Sequence, residues 1–187
     1  MYTAKTAIAK ICNAVRASGK EENTVIIFTS DHGDMDSAHR MEHKTVFYEE
    51  ACHVPLIVSQ PGTIPSGAVN DTSLVSNGLD LVPTLCDYAG IEIPEELSGL
   101  SFRSLAEGKE LLSRRNFLPL ESELGRMIVT ERYKYMLYDE GENREQFIDL
   151  WKDPGELRNA AKDSMKDSVL RRHRKTFEDI AVQYSIP

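Results

Sequence analysis

No stretch of this 187-residue sequence approaches the roughly 18 consecutive apolar residues that a membrane-spanning helix needs. Cysteine is scarce: Cys12, Cys52 and Cys86 are odd in number, widely spaced and form no C-x-x-C pair. That excludes a disulfide framework and a zinc ribbon and leaves buried free thiols as the reading. Positive charge is in deficit as well. Twenty-two Lys and Arg stand against 30 Asp and Glu, a net charge of −8, so no basic face for nucleic acid or anionic lipid is expected. The basic cluster Leu170–Lys175 reads as a solvated face of a C-terminal helix. Residues Met1–Lys20 lack a clean signal-peptide core and cleavage site, and read as an ordinary amphipathic helix.

What is present is patterned. Ala4, Ala7, Ile8, Ile11, Cys12 and Val15 recur at helical spacing, with Gly19 as a stop. Thr24–Phe28 is a continuous β-branched and aromatic run, which suits a strand covered on both faces, as in a parallel sheet. A short helical segment follows around Thr45–Cys52, then a second strand, Val54–Ser59, and a helix ending at Gly90 despite Pro83. This alternation predicts an α/β layer architecture. From about Leu97 the pattern changes, first to a connection with one short helix and then to four short alternating runs with turn-length gaps. Those runs, between Phe117 and Leu150, predict an antiparallel meander. Asp153-Pro154-Gly155-Glu156 has the chemistry of a helix start, and a final helix is expected over Lys166–Tyr184.

The apolar run at Ile26–Phe28 gives way abruptly to Ser30, Asp31, His32, Gly33 and Asp34. In open α/β sheets ligands gather beyond the carboxyl ends of strands. A carboxylate beside an imidazole can ligate a divalent metal, and Gly33 lets the backbone turn so that both face one point. Alone, such a turn is more often plain turn chemistry than a metal site. Glu42, His43 and Lys44 follow: a lysine beside a metal would add positive charge for an anionic group, and His43 could donate a hydrogen bond or a proton to a leaving oxygen. By itself that triplet reads more readily as a solvated loop or a helix start.

Taken in order, "TVIIFTSDHGD" and "HRMEHKTVFYEEACHVPLIVSQPG" closely resemble the C-terminal half of the sulfatase family, in the alkaline phosphatase superfamily. "SNGLDLVPTLCDYAGIEIP", "SGLSFRSLAEG" and "MIVTERYKYMLYDEGENREQFIDLWKDPGELRNAA" extend the resemblance over nearly the whole chain. It implies the C-terminal part of an alkaline-phosphatase-like sheet sandwich over residues 1–100, followed by a small antiparallel sheet packed by a C-terminal helix over 101–187. It implies that Asp31 and His32 are metal ligands, that Lys44 contacts the sulfate and that His43 lies against the same group. Asn is frequent in the family where His32 stands here. Calcium accompanies Asn, whereas Asp-His relatives, phosphonate monoester hydrolases among them, can use manganese. Asp34, His39 and Glu49 are assigned structural or capping duties.

Sulfatases hydrolyse with a formylglycine made from a C/S-x-P-S-R segment, and none of the three cysteines is followed by that pattern. The resemblance therefore implies a C-terminal portion of a sulfuric ester hydrolase, with half a metal site, no nucleophile and no activity alone. Two alternatives stand beside it. One is phosphodiester or phosphonate monoester hydrolysis on the same fold; the other is a non-catalytic fragment that binds a partner or associates with itself through exposed strand edges.

Overall fold

The computed structural model describes residues 2–109 and 115–183. The end of the connection after Leu97, at 110–114, and the end of the final helix at Tyr184 lie outside them. Two compact units emerge. The first comprises residues 1–30, 55–71 and 76–113; the second comprises 31–54, 72–75 and 114–187.

The first unit contains α1 (Tyr2–Ala17), β1 (Ile26–Thr29), β2 (Leu56–Ser59), α3 (Asn77–Ala89) and α4 (Arg103–Ala106). The short helix α2 (Glu49–Cys52) lies between the two strands in sequence and belongs to the second unit. The parallel pairing expected for the first strand is corrected here: β1 and β2 run antiparallel, with Phe28 opposite Ile57. A continuous apolar run signals burial but carries no information on strand direction. Phe28 and Ile57 share one face of this ribbon and stay exposed, whereas Ile27, Val58, Thr29 and Leu56 are half-buried. In α1 the helical stripe buries only in part, since Ile8, Cys12 and Val15 are half-buried and Ile11 is exposed.

α3 starts with the Ser76 hydroxyl accepting the Leu79 N–H and stops at Gly90 in the left-handed region, φ 67°. Pro83 lacks the N–H that would bond the Leu79 carbonyl. The backbone at Gly99 passes so close to that carbonyl that any Cβ would collide with it. The buried Asp80 carboxylate accepts the N–H groups of Ser76 and Leu100, each at 2.8 Å. The Thr84 hydroxyl donates to Asp80 O and accepts from Phe102 N–H. Buried polar groups are thus satisfied at the chain segments they tie together.

The second unit is built on the expected meander, β3 (Leu118–Ser122), β4 (Gly125–Val129), β5 (Tyr133–Tyr138) and β6 (Glu145–Asp149), in that spatial order and antiparallel throughout. Side chains alternate between its faces. Ile128, Tyr135 and Phe147 pack with Leu170, Phe177 and Ile180 of α5 (Asp167–Gln183). Met127, Met136 and Ile148 pack with Phe47 on the other face. The basic cluster of α5 is less solvated than expected: His173 is buried in that first core, and Arg174 is held by Glu145 at 2.5 Å. The three cysteines are free thiols, each half-buried.

A second correction concerns Asp153. No helix starts there. Glu156 N–H bonds Asp153 O at 3.0 Å, Arg158 N–H bonds Asp153 Oδ2 at 2.7 Å, and Glu156 has φ 50°. The capping chemistry is used for a turn, because the Glu156 side chain is drawn inward to Lys134.

Candidate active site

Asp31 and His32 follow directly on β1 in sequence. Gly33 N–H bonds Ala51 O at 2.8 Å, and a Cβ at Gly33 would run into the Glu50 carbonyl. Only glycine allows the turn to press against α2 this closely. The chain then makes an excursion that closes on itself. Asp36 N–H bonds Asp34 Oδ1, Ser37 N–H bonds Met41 O and Met35 N–H bonds His43 O at 2.9 Å. Asp36, Ser37, His39, Arg40 and His43 all have positive φ, between 42° and 73°. Backbone strain of this kind persists only where surroundings hold it, and here Met35 is buried with Tyr48 and Ala51 while His39 stacks on Tyr48, with ring centroids 4.0 Å apart.

The excursion returns Lys44 to His32. Lys44 Nζ lies 2.5 Å from His32 Nε2, and Asp31 Oδ2 lies 3.3 Å from the same nitrogen. His32 Nδ1 is 2.6 Å from Gly33 O. A ring N–H on Nδ1 donates to that carbonyl, and Nε2 is then the acceptor that meets the lysine ammonium. The backbone N–H groups of His32 and of Asp31 itself hold the Asp31 carboxyl below its usual range. His32, Asp34, His43, Lys44, Thr45 and Glu123 line one open cleft of about 440 Å³. Of the four residues singled out from the sequence, three converge at His32 Nε2, and His43 lines the same cleft.

Lys134 of β5 is buried, its ammonium 2.6 Å from Glu49 Oε1, 2.9 Å from Glu156 Oε1 and 2.9 Å from the Phe47 carbonyl. Burial alone would raise the Glu49 carboxyl, but His53 and Lys134 override it and hold it at about 2. Burial prevails for Glu156, whose carboxyl is pushed up. His39, Glu50 and Glu156 come within 4.8 Å of one another, a spacing at which they could hold a metal. Lys134 already supplies the positive charge that Glu156 needs, so this group serves as structure. Lys134 and Glu123 went unnoticed in the sequence because neither sits in a short motif with a recognisable spacing, and Glu156 was read there only as part of a helix start.

Comparison with known proteins decides the family. Residues 37–183 match the family model described as N-sulphoglucosamine sulphohydrolase, C-terminal. The chain belongs to the sulfatase family. Its sequence is 36% identical over 181 residues to a delta 4,5-hexuronate-2-O-sulfatase of Bacteroides thetaiotaomicron, covering 92% of this chain and 37% of that protein. Its fold matches a solved 2-O GAG sulfatase with a TM-score of 0.89 at 34% identity, over 98% of this chain and 41% of the other. A phosphonate monoester hydrolase of Agrobacterium radiobacter matches with a TM-score of 0.80 at 30% identity, over 95% and 39%. The chain spans about a third of the length of the curated relatives it matches. The alkaline-phosphatase-like α/β architecture with a small antiparallel sheet and a C-terminal helix stands. No described helix is long and apolar enough to cross a membrane.

Sulfatases use a divalent metal, and the chemistry of Asp31 and His32 fits one. Two ligand atoms at about 2.2 Å from one ion and near a right angle lie roughly 3 Å apart, close to the 3.3 Å between Asp31 Oδ2 and His32 Nε2. The Nδ1 contact to a backbone carbonyl is the support that orients a ligating imidazole.

Proposed function

We propose that this sulfatase-family chain carries part of an active site for sulfuric ester hydrolysis, with Asp31 and His32 as metal ligands and Lys44 and His43 as contacts to the sulfate. The convergence of a carboxylate, an imidazole acceptor and an ammonium at His32 Nε2 supports this reading most directly. Asp31 and His32 would hold a divalent metal, calcium or alternatively manganese, which when bound would supply Lewis-acid polarisation of the sulfate oxygens. Lys44 offsets charge on the transferring group. To do so its ammonium leaves His32 Nε2, which frees that lone pair for ligation. His43, exposed in the cleft, donates a hydrogen bond or a proton to the leaving alcohol oxygen.

The nucleophile belongs to a C/S-x-P-S-R segment that this sequence does not contain, so the chain alone is expected to be inactive. The same reading assigns residues 1–100 to the C-terminal part of the catalytic domain and 101–187 to a small subdomain. In an assembled enzyme, where this chain completes a portion bearing formylglycine, Lys44→Ala lowers kcat on an aryl sulfate by about 10²–10³-fold. Near-normal turnover would remove Lys44 from the chemistry.

Phosphonate monoester hydrolysis is the second reading. It is favoured by His32 and by the likeness to the Agrobacterium radiobacter hydrolase. The ratio of rates on an aryl sulfate and an aryl phosphonate separates the two. A partner-binding role without catalysis is supported by the exposed Phe28–Ile57 face alone, and Lys44-dependent turnover in the assembled enzyme excludes it.

A further inference from the structure

The cleft holds one residue from the meander, Glu123. Ser122 pairs with Gly125, which makes Glu123 and Leu124 a two-residue turn between β3 and β4. That turn is held firmly. Leu124 N–H bonds Ser122 Oγ at 3.1 Å, and the Leu124 carbonyl accepts Asp139 N–H at 2.9 Å. Gly125 has φ 152°, and a Cβ there would collide with the Leu137 carbonyl. The backbone that carries Glu123 is therefore fixed while its side chain is exposed.

Its neighbours differ from it in one respect. Glu121 pairs with Arg126 at 3.5 Å, Asp34 accepts the Asp36 N–H, and Lys44 is on His32. Among the described residues nothing bonds or pairs with the Glu123 carboxylate. An acid left open in a cleft that is also lined by Lys44 and two histidines makes a bipolar site. An anionic group seats at the lysine, and a carboxylate in the same cleft accepts hydrogen bonds and repels further negative charge.

We infer that Glu123 is a specificity-determining residue that reads the substituent flanking the sulfate, favouring an ammonium or hydroxyl donor and disfavouring a second anion. The substrate class is then a sulfated sugar with a free amine or hydroxyl beside the ester, rather than one flanked by a carboxylate or another sulfate. This rests on the reading of Lys44 as the sulfate contact.

The test is a binding titration of the full chain followed by NMR, with a divalent ion supplied and three probes. These are inorganic sulfate, glucosamine 3-sulfate with a free amine, and its N-sulfated counterpart. The wild-type chain prefers the free amine by about three- to fivefold, the range of an exposed charge pair. Glu123→Gln brings that ratio to about one, and Lys44→Ala weakens all three probes. An undiminished preference in Glu123→Gln, with sulfate binding still dependent on Lys44, overturns the role of Glu123 and leaves the sulfate site standing. Sulfate binding that is absent, or indifferent to Lys44→Ala, overturns the sulfate site and this inference with it.

Discussion

His32 is the residue on which the site turns, because both of its ring nitrogens are committed. Nδ1 faces the Gly33 carbonyl and Nε2 faces Lys44. A cation that takes the Nε2 lone pair must displace the ammonium and then tolerate it nearby. Two positive charges at about 4 Å repel appreciably even in water. Lys44→Met is therefore expected to tighten manganese binding by roughly two- to tenfold, measured by the EPR signal of free Mn²⁺, and unchanged or weaker binding contradicts the geometry. These residues were legible in the sequence because the strand end, the Asp-His-Gly turn and the lysine twelve residues on keep a fixed order. Glu123 was not, because it comes from a turn whose place in the cleft only the fold reveals.

At the scale of elements, the main tie is Lys134. Its ammonium joins β5 to the Phe47 carbonyl, to Glu49 at the first position of α2 and to Glu156 in the turn after β6. α2 in turn receives the Gly33 N–H, so the support of the Asp31–His32 turn runs back to a buried ion pair on the sheet. Lys134→Met leaves the buried Glu156 carboxylate without its cation and Glu49 with His53 alone. A loss of about 3–5 kcal/mol in unfolding free energy is expected by urea titration, and a change below about 1 kcal/mol contradicts the role. The same pair explains why the sequence misled at Asp153. The Asp-Pro-x-Glu pattern does specify local capping, but burial of Glu156 against Lys134 imposes φ 50° and turns a helix start into a turn. Strand direction at β1 was illegible for a related reason: apolar runs report what is covered, and the antiparallel partner β2 is separated from β1 by the 26 residues 30–55.

Taken whole, the second unit owes its order to the two-sided meander, which the sequence showed through short strand-like runs separated by turn-length gaps, while the burial of both faces is seen only in the fold. A histidine sits inside that core. His173 packs edge-on to Tyr133 and Phe147, and burial lowers its pKa below 6.5. The folded state then binds fewer protons than the unfolded state in that range. Its contribution is fully present above about pH 6.5 and is lost as pH falls. Melting temperature should decline from pH 7 to 5.5, and His173→Leu should flatten that decline; an equal decline in the variant places the acid sensitivity elsewhere.

The central claim is that Asp31 and His32 form a metal half-site. The direct measurement is a manganese titration of the chain with its five histidines isotopically labelled, following paramagnetic broadening of each imidazole by NMR. His32 broadens first at low manganese, and Asp31→Asn abolishes the effect. Broadening that begins at His39, beside Glu50 and Glu156, or that survives Asp31→Asn unchanged, contradicts the account.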